Sequence, residues 1–344
     1  MTFLIGTRGS KLSLAQTNWV ISELQKQNPA SEFQIKTITT KGDTDTRALF
    51  TIDQRGIFEK EIDKAVADKQ VDFAVHSMKD VPSDIPDSLI IASIPKRESS
   101  NDVIITKDGS NLRTIQSKSI IGTSSLRRAV QVSRVRPDVV VKPVRGNIET
   151  RINKVMDGKF DAIILAQAGI SRLGSDVKHS VLSTKDFPPS PGQGALAIIC
   201  RSDDDKTISM LKKIEDKKSR TEIEAEREIS EYVESGCRFP VGALAIANSN
   251  MLKLTVTAYS VDGKKSITLE KTGDIENPKN LGQNLYPIVI TSNMPGKIII
   301  PEKKTPMRKI PTAPYFPLGL ILGLKSGMRS WAGHGLNGLS LTLV

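Results

Sequence analysis

The chain has 344 residues, 38% hydrophobic and 25% charged, with a formal net charge of +11. At roughly 150 residues per domain it is long enough for two or three domains, and it lacks the run of about 18 apolar residues that a membrane-spanning helix needs. Two cysteines, Cys200 and Cys237, and three scattered histidines, His76, His179 and His334, exclude a disulfide framework and suggest no zinc site, and the Gly and Pro contents are ordinary.

The opening MTFLIGTRGSK carries no basic stretch leading into a long apolar run, so no secretory signal is expected, and a reducing cytosol is the simplest compartment. More than half of the positive excess sits in residues 291–344, where Lys297, Lys303, Lys304, Arg308, Lys309, Lys325 and Arg329 face only Glu302. A basic surface over the whole molecule is therefore not implied, and the placement of individual arginines matters more.

Phe3-Leu4-Ile5 reads as a strand ending at Gly6. From Ser10, Leu12, Ala15, Trp19, Val20 and Leu24 follow helical spacing. Phe33, Ile35 and Thr37 alternate as a strand, Glu59–Lys69 is helical and Val71–Val75 is a buried strand: a βαβαβ run. The order recurs with a strand at Ser119–Gly122, a helix at Leu126–Arg136, a strand at Val139–Val144, a helix at Asn147–Met156 and a strand at Phe160–Ala166. Ile5-Gly6-Thr7 is echoed by Ile121-Gly122-Thr123, and Asp72–Val75 by Asp161–Ile164. The expectation is two similar α/β lobes, joined through Pro95–Asn101 and Pro188–Gly192. The apolar strand at Gly194–Ile199 returns to the first lobe. After a charged helical region from Asp203 to Glu234, strands at Ala243–Ala247, Leu252–Tyr259 and Ser266–Lys271 suggest a third, smaller α+β domain with an antiparallel sheet.

Ligands of such sheets lie beyond the carboxyl ends of the strands, so a cleft between facing lobes would gather both sets of loops. Thr7-Arg8-Gly9-Ser10 joins a strand to a helix, where free N–H groups attract anions and Arg8 could clamp a carboxylate; a plain capped helix, with Ser10 or Ser13 as the cap, is an equal reading. Thr123-Ser124-Ser125-Leu126-Arg127-Arg128 repeats the design with arginines at a helix start, an unfavourable placement that a bound anion would offset. Arg145-Gly146-Asn147 follows the next strand, with Arg151 one turn on. One such arginine is usually a solvated surface charge; Arg8, Arg127, Arg128, Arg145 and Arg151 together suggest a ligand with several carboxylates or phosphates. In His76-Ser77-Met78-Lys79-Asp80-Val81-Pro82, Lys79 could meet a ligand carboxylate and Asp80 could serve proton transfer or cation stabilisation, although a surface turn stopped by Pro82 has the same pattern. His76 has no triad partner at recognisable spacing and reads as structural. Cys237, between Gly236 and Arg238, could be an activated thiol or an ordinary free cysteine, whereas Cys200, ending an apolar strand, reads as buried and inert. No GxxxxGK[ST] loop is present, Gly192-Gln193-Gly194-Ala195 lacks the dinucleotide context, and the aromatics do not interleave with basic residues.

These residues resemble the porphobilinogen deaminase (hydroxymethylbilane synthase) family. The matching stretches are TRGSKLSLAQ (7–16), RGIFEKE (55–61), AVHSMKDVP (74–82), IGTSSLRR (121–128), RGNIETR (145–151), DAIILAQAGISRLG (161–174), PGQGALAI (191–198) and GCRFPVGA (236–243). The resemblance implies two periplasmic-binding-protein-like (type 2) lobes with βαβ units plus a small α+β C-terminal domain. Domain 1 would comprise 1–95 and 191–212, domain 2 residues 96–190 and domain 3 residues 213–285, leaving 286–344 as an atypical Pro/Gly-rich basic tail.

The implied activity is head-to-tail joining of four porphobilinogen molecules, with loss of ammonia, on a dipyrromethane cofactor held by a thioether to Cys237, then hydrolytic release of hydroxymethylbilane. Each pyrrole carries an acetate and a propionate, which would account for the arginines. Asp80 matches the catalytic carboxylate. Lys79, Asp80, Thr123, Ser124, Ser125, Arg127, Arg128 and Asn147 match cofactor binders, and Arg8, Ser10, Gln16, Arg145, Arg151 and Gln193 match substrate binders. The resemblance further implies a cytoplasmic monomer that uses no metal, nucleic acid or membrane and passes its product to uroporphyrinogen-III synthase. The sequence departs from the family at Arg55, where many members carry lysine. It departs again after about Gly273, where Tyr286-Pro287-Ile288 replaces an expected amphipathic helix and weak packing is expected. Lys41–Gln54 reads as a polar flap. Two other classes compete: a non-catalytic carboxylate-binding protein, which needs neither Asp80 nor an exposed Cys237, and a nucleic-acid binder, which predicts steep salt dependence.

Overall fold

The computed structural model describes residues 1–40, 59–234, 240–293 and 339–343. In chain order it begins β1 (Thr2–Thr7), α1 (Lys11–Gln27), β2 (Glu32–Thr37), α2 (Lys60–Ala67), β3 (Phe73–Ser77), a short 3₁₀ turn (Met78–Asp80) and β4 (Leu89–Ser93). There follow β5 (Asp102–Thr106), β6 (Ile120–Gly122), α3 (Leu126–Val135), β7 (Val140–Lys142), α4 (Ile148–Met156), β8 (Ala162–Ala166), α5 (Gln167–Arg172) and β9 (Ser180–Val181). The chain continues through β10 (Leu196–Arg201), α6 (Asp205–Leu211), α7 (Lys217–Glu234), β11 (Val241–Asn248), β12 (Met251–Tyr259), β13 (Ser266–Asp274), α8 (Pro278–Asn293) and β14 (Leu339–Leu343).

Two five-stranded sheets have the same plan. One has the order β2-β1-β3-β10-β4 and the other β7-β6-β8-β5-β9. In each, the first three strands are parallel and the fourth is antiparallel to the third. That fourth strand is the one that has just crossed from the other lobe: β5 after residues 96–101, β10 after 188–195. The expected parallel units are therefore present, but each sheet is mixed, because a strand arriving from the opposite lobe enters from the reverse direction. Central strands read as continuous apolar runs because helices cover both faces. Ile62, Val66 and Ala74 pack on one side of the first sheet and Val20, Leu24 and Phe73 on the other. The second sheet repeats this with Val132 and Ile164 against Val155, Ile163 and Ile170.

The third unit is antiparallel, in the order β11-β12-β13-β14. Ala243, Ala245, Leu254, Val256 and Leu269 face Ala225 and Ile229 of α7 and Leu281 and Leu285 of α8, while Ile246 and Met251 lie exposed. Gly282 permits the close crossing of the two helices: a Cβ there would stand 2.7 Å from the Ala225 carbonyl oxygen. Residues 286–344 are not wholly outside this unit. Helix α8 runs through Tyr286-Pro287 to Asn293, and the alternating Leu339-Ser340-Leu341-Thr342-Leu343 pairs with β13 as a fourth strand.

The three units meet at the two crossings. Glu226 of α7, fully buried, accepts from Arg97 Nη1 (2.7 Å) and Nη2 (3.0 Å) of the first crossing and from the Gly192 N–H (2.7 Å) of the second. It also accepts from the Ala245 N–H (2.9 Å) of β11. Such a set satisfies a buried carboxylate that would otherwise be costly. Gly194, at φ +90°, lets the second crossing lie against the first, since a Cβ would collide with the Glu98 carbonyl oxygen.

Candidate active site

The facing strand ends enclose a cleft of about 990 Å³. Three helices begin on it, each capped by a residue the sequence singles out. Ser10 Oγ accepts from the Ser13 N–H (3.2 Å), Ser125 Oγ from the Arg128 N–H (3.5 Å) and Asn147 Oδ1 from the Thr150 N–H (2.8 Å). The cap of α1 is thus Ser10 rather than Ser13. Neither α1 nor α3 has an acidic residue in its first turn, so their N-terminal partial charges face the cleft without an internal counter-charge there.

The cleft is lined by Arg8, Arg127, Arg128, Arg145 and Arg151, together with Lys79 and Asp80. Ser10, Gln16, Ser124, Ser125, Asn147 and Gln193 also line it. Thr123 does not; it is buried beneath the loop, where its hydroxyl accepts from the Ser125 N–H (3.2 Å). Ser124 ties its loop to the next strand end, donating to the Val144 carbonyl (2.7 Å) and accepting from the Val144 N–H (3.1 Å). Gln16 Nε2 donates to Ser77 Oγ (3.0 Å), bracing α1 against the end of β3. Cys237, Arg55 and the Lys41–Gln54 segment lie outside the described residues.

The arginines fall into two groups. Arg145 and Arg151 are half-buried, and Arg151 Nε donates to the Gly146 carbonyl (2.7 Å). Burial, then the charges of Arg128 and Arg145, lowers the Arg151 pKa, the signature of cations crowded where an anion would relieve them. Arg127 and Arg128 are buried and converge on Asp102, the first residue of β5. Arg128 donates to Asp102 Oδ1 through Nε (3.1 Å) and Nη2 (2.7 Å), and Arg127 Nη2 lies 2.9 Å from Oδ2. Burial alone would raise the Asp102 pKa, but Arg128 and Arg127 together hold it well below the usual carboxylate range.

Lys79 and Asp80 project from the 3₁₀ turn after β3, which the Met78 N–H anchors to the Ala195 carbonyl (3.0 Å). Lys79 is exposed to the cleft space, between walls contributed by both lobes. Burial, opposed by Asp80 and reinforced by Arg128, lowers its pKa to about 8. His76 faces away from the cleft: its Nε2 stands 3.0 Å from Asp63 Oδ1 in the interior, in line with a structural role. Cys200 is buried, which pushes its thiol up to about 12. No group of metal-ligating side chains is found among the described residues.

Several residues of the site escape the sequence reading. Asp102 opens the apolar strand β5, which no motif in the sequence marks. Arg172, in the middle of Ile170-Ser171-Arg172-Leu173-Gly174, lines the cleft and donates to the Gly194 carbonyl (2.7 Å). Arg97 and Glu226 are separated by 129 residues, so their pairing has no local signal.

The family model for "Porphobilinogen deaminase, dipyromethane cofactor binding domain" matches residues 3–209, and "Porphobilinogen deaminase, C-terminal domain" matches 220–287. A probable porphobilinogen deaminase of Nitrosopumilus maritimus is 67% identical over 284 residues, 83% of this chain and 91% of that protein. The porphobilinogen deaminase of Brevibacillus brevis is 43% identical over 281 residues, 81% and 90% of the two chains. Among solved structures, the Bordetella pertussis BvgS periplasmic VFT2 domain aligns with TM-score 0.37 at 14% identity, covering 62% of this chain and 86% of that one.

Proposed function

The chain belongs to the porphobilinogen deaminase family, an enzyme family of tetrapyrrole biosynthesis that works with a dipyrromethane cofactor, and from that premise we propose that the interlobe cleft is its active site. When bound, the cofactor would supply a two-pyrrole primer to which porphobilinogen units are joined head to tail. The donor set suits such a group: a poly-carboxylate chain asks for many cations and N–H donors and few competing anions, and the cleft offers Arg8, Arg145, Arg151, Lys79 and the starts of α1 and α3.

Lys79, Ser124, Ser125, Arg127, Arg128 and Asn147 hold the cofactor side, with Thr123 acting from below through the Ser125 N–H. Arg8, Ser10, Gln16, Arg145 and Arg151 hold the incoming pyrrole's acetate and propionate, and Gln193 braces the boundary between the two. Asp80 stands beside these cations as an accessible carboxylate of the cleft. As the aminomethyl carbon of porphobilinogen loses ammonia, positive charge develops on the pyrrole and its methylene. A fixed carboxylate within a cleft of restricted water stabilises that charge and can accept the proton released when the new bond forms. Cys237, in the segment that follows α7, carries the thioether. On the same reading the chain is a transferase and a cytoplasmic monomer whose product goes to uroporphyrinogen-III synthase; these points rest on the family resemblance.

The observation that carries the proposal is the convergence of Asp80 with cations from both lobes on one cleft. Its test is ammonia release from porphobilinogen. Asp80→Asn should retain the covalent cofactor while ammonia release falls by roughly 10²-fold or more, the range expected when a positioned carboxylate is lost. Near-normal release by that variant would remove Asp80 from the chemistry.

A further inference from the structure

Asp102 occupies a position that neither the motifs nor the activity requires by itself. It is completely buried, it is the first residue of the strand that enters the second lobe, and it faces two guanidinium groups. Its third partner is Gln193, on the return crossing. Gln193 Nε2 donates to Asp102 Oδ1 (2.9 Å) and to the Ser100 carbonyl (2.7 Å), and its Oε1 accepts from Arg128 Nη2 (3.4 Å). One carboxylate thus joins both interlobe crossings to the start of α3.

The two oxygens are used differently. Oδ1 takes the aligned hydrogen bonds of Arg128 and Gln193. Oδ2 is buried and faces Arg127 Nη2 at 2.9 Å. Arg127 is otherwise held by the Gln131 side chain (2.9 Å) and the Pro188 carbonyl (2.7 Å). Two guanidinium charges side by side in a buried site repel and tend to drive the side chains apart. A fixed internal anion between them offsets that repulsion and holds both in place when no ligand is present.

We propose that Asp102 is a positioning residue: it serves as a built-in counter-anion that holds Arg127 and Arg128 in register for the carboxylates of the bound chain. This inference rests on the reading that these arginines hold the acidic ligand.

The test uses the full chain carrying its cofactor. Asp102→Asn keeps the shape and removes the charge, and should lower the maximal rate of porphobilinogen consumption at least tenfold while far-ultraviolet circular dichroism stays unchanged. Asp102→Ala opens a carboxylate-sized space beside the cleft. Formate should restore a measurable part of its rate, and should restore nothing in Asp102→Asn or the wild type. If Asp102→Ala folds only when formate is present, that too is the expected behaviour of a counter-anion site. A wild-type rate in Asp102→Asn, or an Asp102→Ala variant indifferent to formate in both folding and rate, would overturn the proposal. Arg127→Gln and Arg128→Gln, assayed in parallel, separate the two levels. If they too keep full activity, the reading of the arginines fails; if they lose it while Asp102→Asn does not, only the role of Asp102 fails.

Discussion

Lys11 of the first lobe and Glu149 of the second meet at the rim of the cleft, Nζ to Oε1 at 2.7 Å. They stand in the first turns of α1 and α4, so the pair joins two helix starts that flank the same opening. Both side chains are well exposed, at 71% and 44%, which limits the pair to about 0.2–1 kcal/mol. Glu149→Gln should let the lobes part more readily and raise the KM for porphobilinogen by no more than about fivefold, the factor equivalent to that energy. The ratio of variant to wild-type KM should shrink towards one as KCl is raised, because salt screens the exposed pair in the wild type. A ratio that is independent of salt would show that the contact does not govern opening.

The proposed contact of Lys79 with the ligand's carboxylates would set a pH limit on binding. Its folded pKa lies near 8, below the ordinary lysine value, so its ammonium is lost as pH rises through about 8 rather than above 10. Charge on Lys79 favours a carboxylate ligand, so binding should be strongest below that pH, should weaken above it, and should be accompanied by proton uptake near pH 8. The KM of the wild type should therefore climb between about pH 7.5 and 9. Lys79→Gln should show a higher but flatter profile over the same range. Parallel profiles for the two proteins would assign the titration to another group.

Glu226 and Arg97 make a different prediction, on stability. Glu226→Ala leaves the buried Arg97 guanidinium and the Gly192 and Ala245 N–H groups without their common acceptor. Breaking a buried pair from one side costs about 3–5 kcal/mol, so the urea midpoint should fall sharply. A midpoint close to wild type would mean that the junction of the three units does not depend on this carboxylate.

Much of the architecture is legible in the sequence because it rests on long periodic segments. The spacing of Leu12, Val20 and Leu24 marks α1, and the alternation of Leu252, Leu254 and Val256 marks β12. What is not legible is locally unmarked or non-local. Strands β4, β5 and β9 are no shorter than some that the sequence predicts, apart from the two-residue β9, but each runs on to another strand with no helix between to mark it, and α5 is a helix of six residues containing a glycine. The antiparallel fourth strand of each lobe depends on where the chain crosses, which no local pattern encodes. Strand β14 joins the third sheet from a distant part of the chain.

The site shows the same division. Ser10 is recognisable as a cap, whereas the capping by Ser125 and Asn147 emerges only in the structure; Arg8, Arg127, Arg128, Arg145 and Arg151 stand out because they cluster after strand ends. The local pattern could not show that Arg127 and Arg128 already share a buried anion. Asp102 precedes them by some two dozen residues and reaches them only once β5 lies beside β8.

The most direct measurement is the intact mass of the purified protein, alone and as Cys237→Ser. A cleft built to hold a covalently tethered oligopyrrole predicts that the active protein is heavier than its polypeptide by one dipyrromethane and that the serine variant loses the increment together with activity. Protein that consumes porphobilinogen at the bare polypeptide mass would contradict the account.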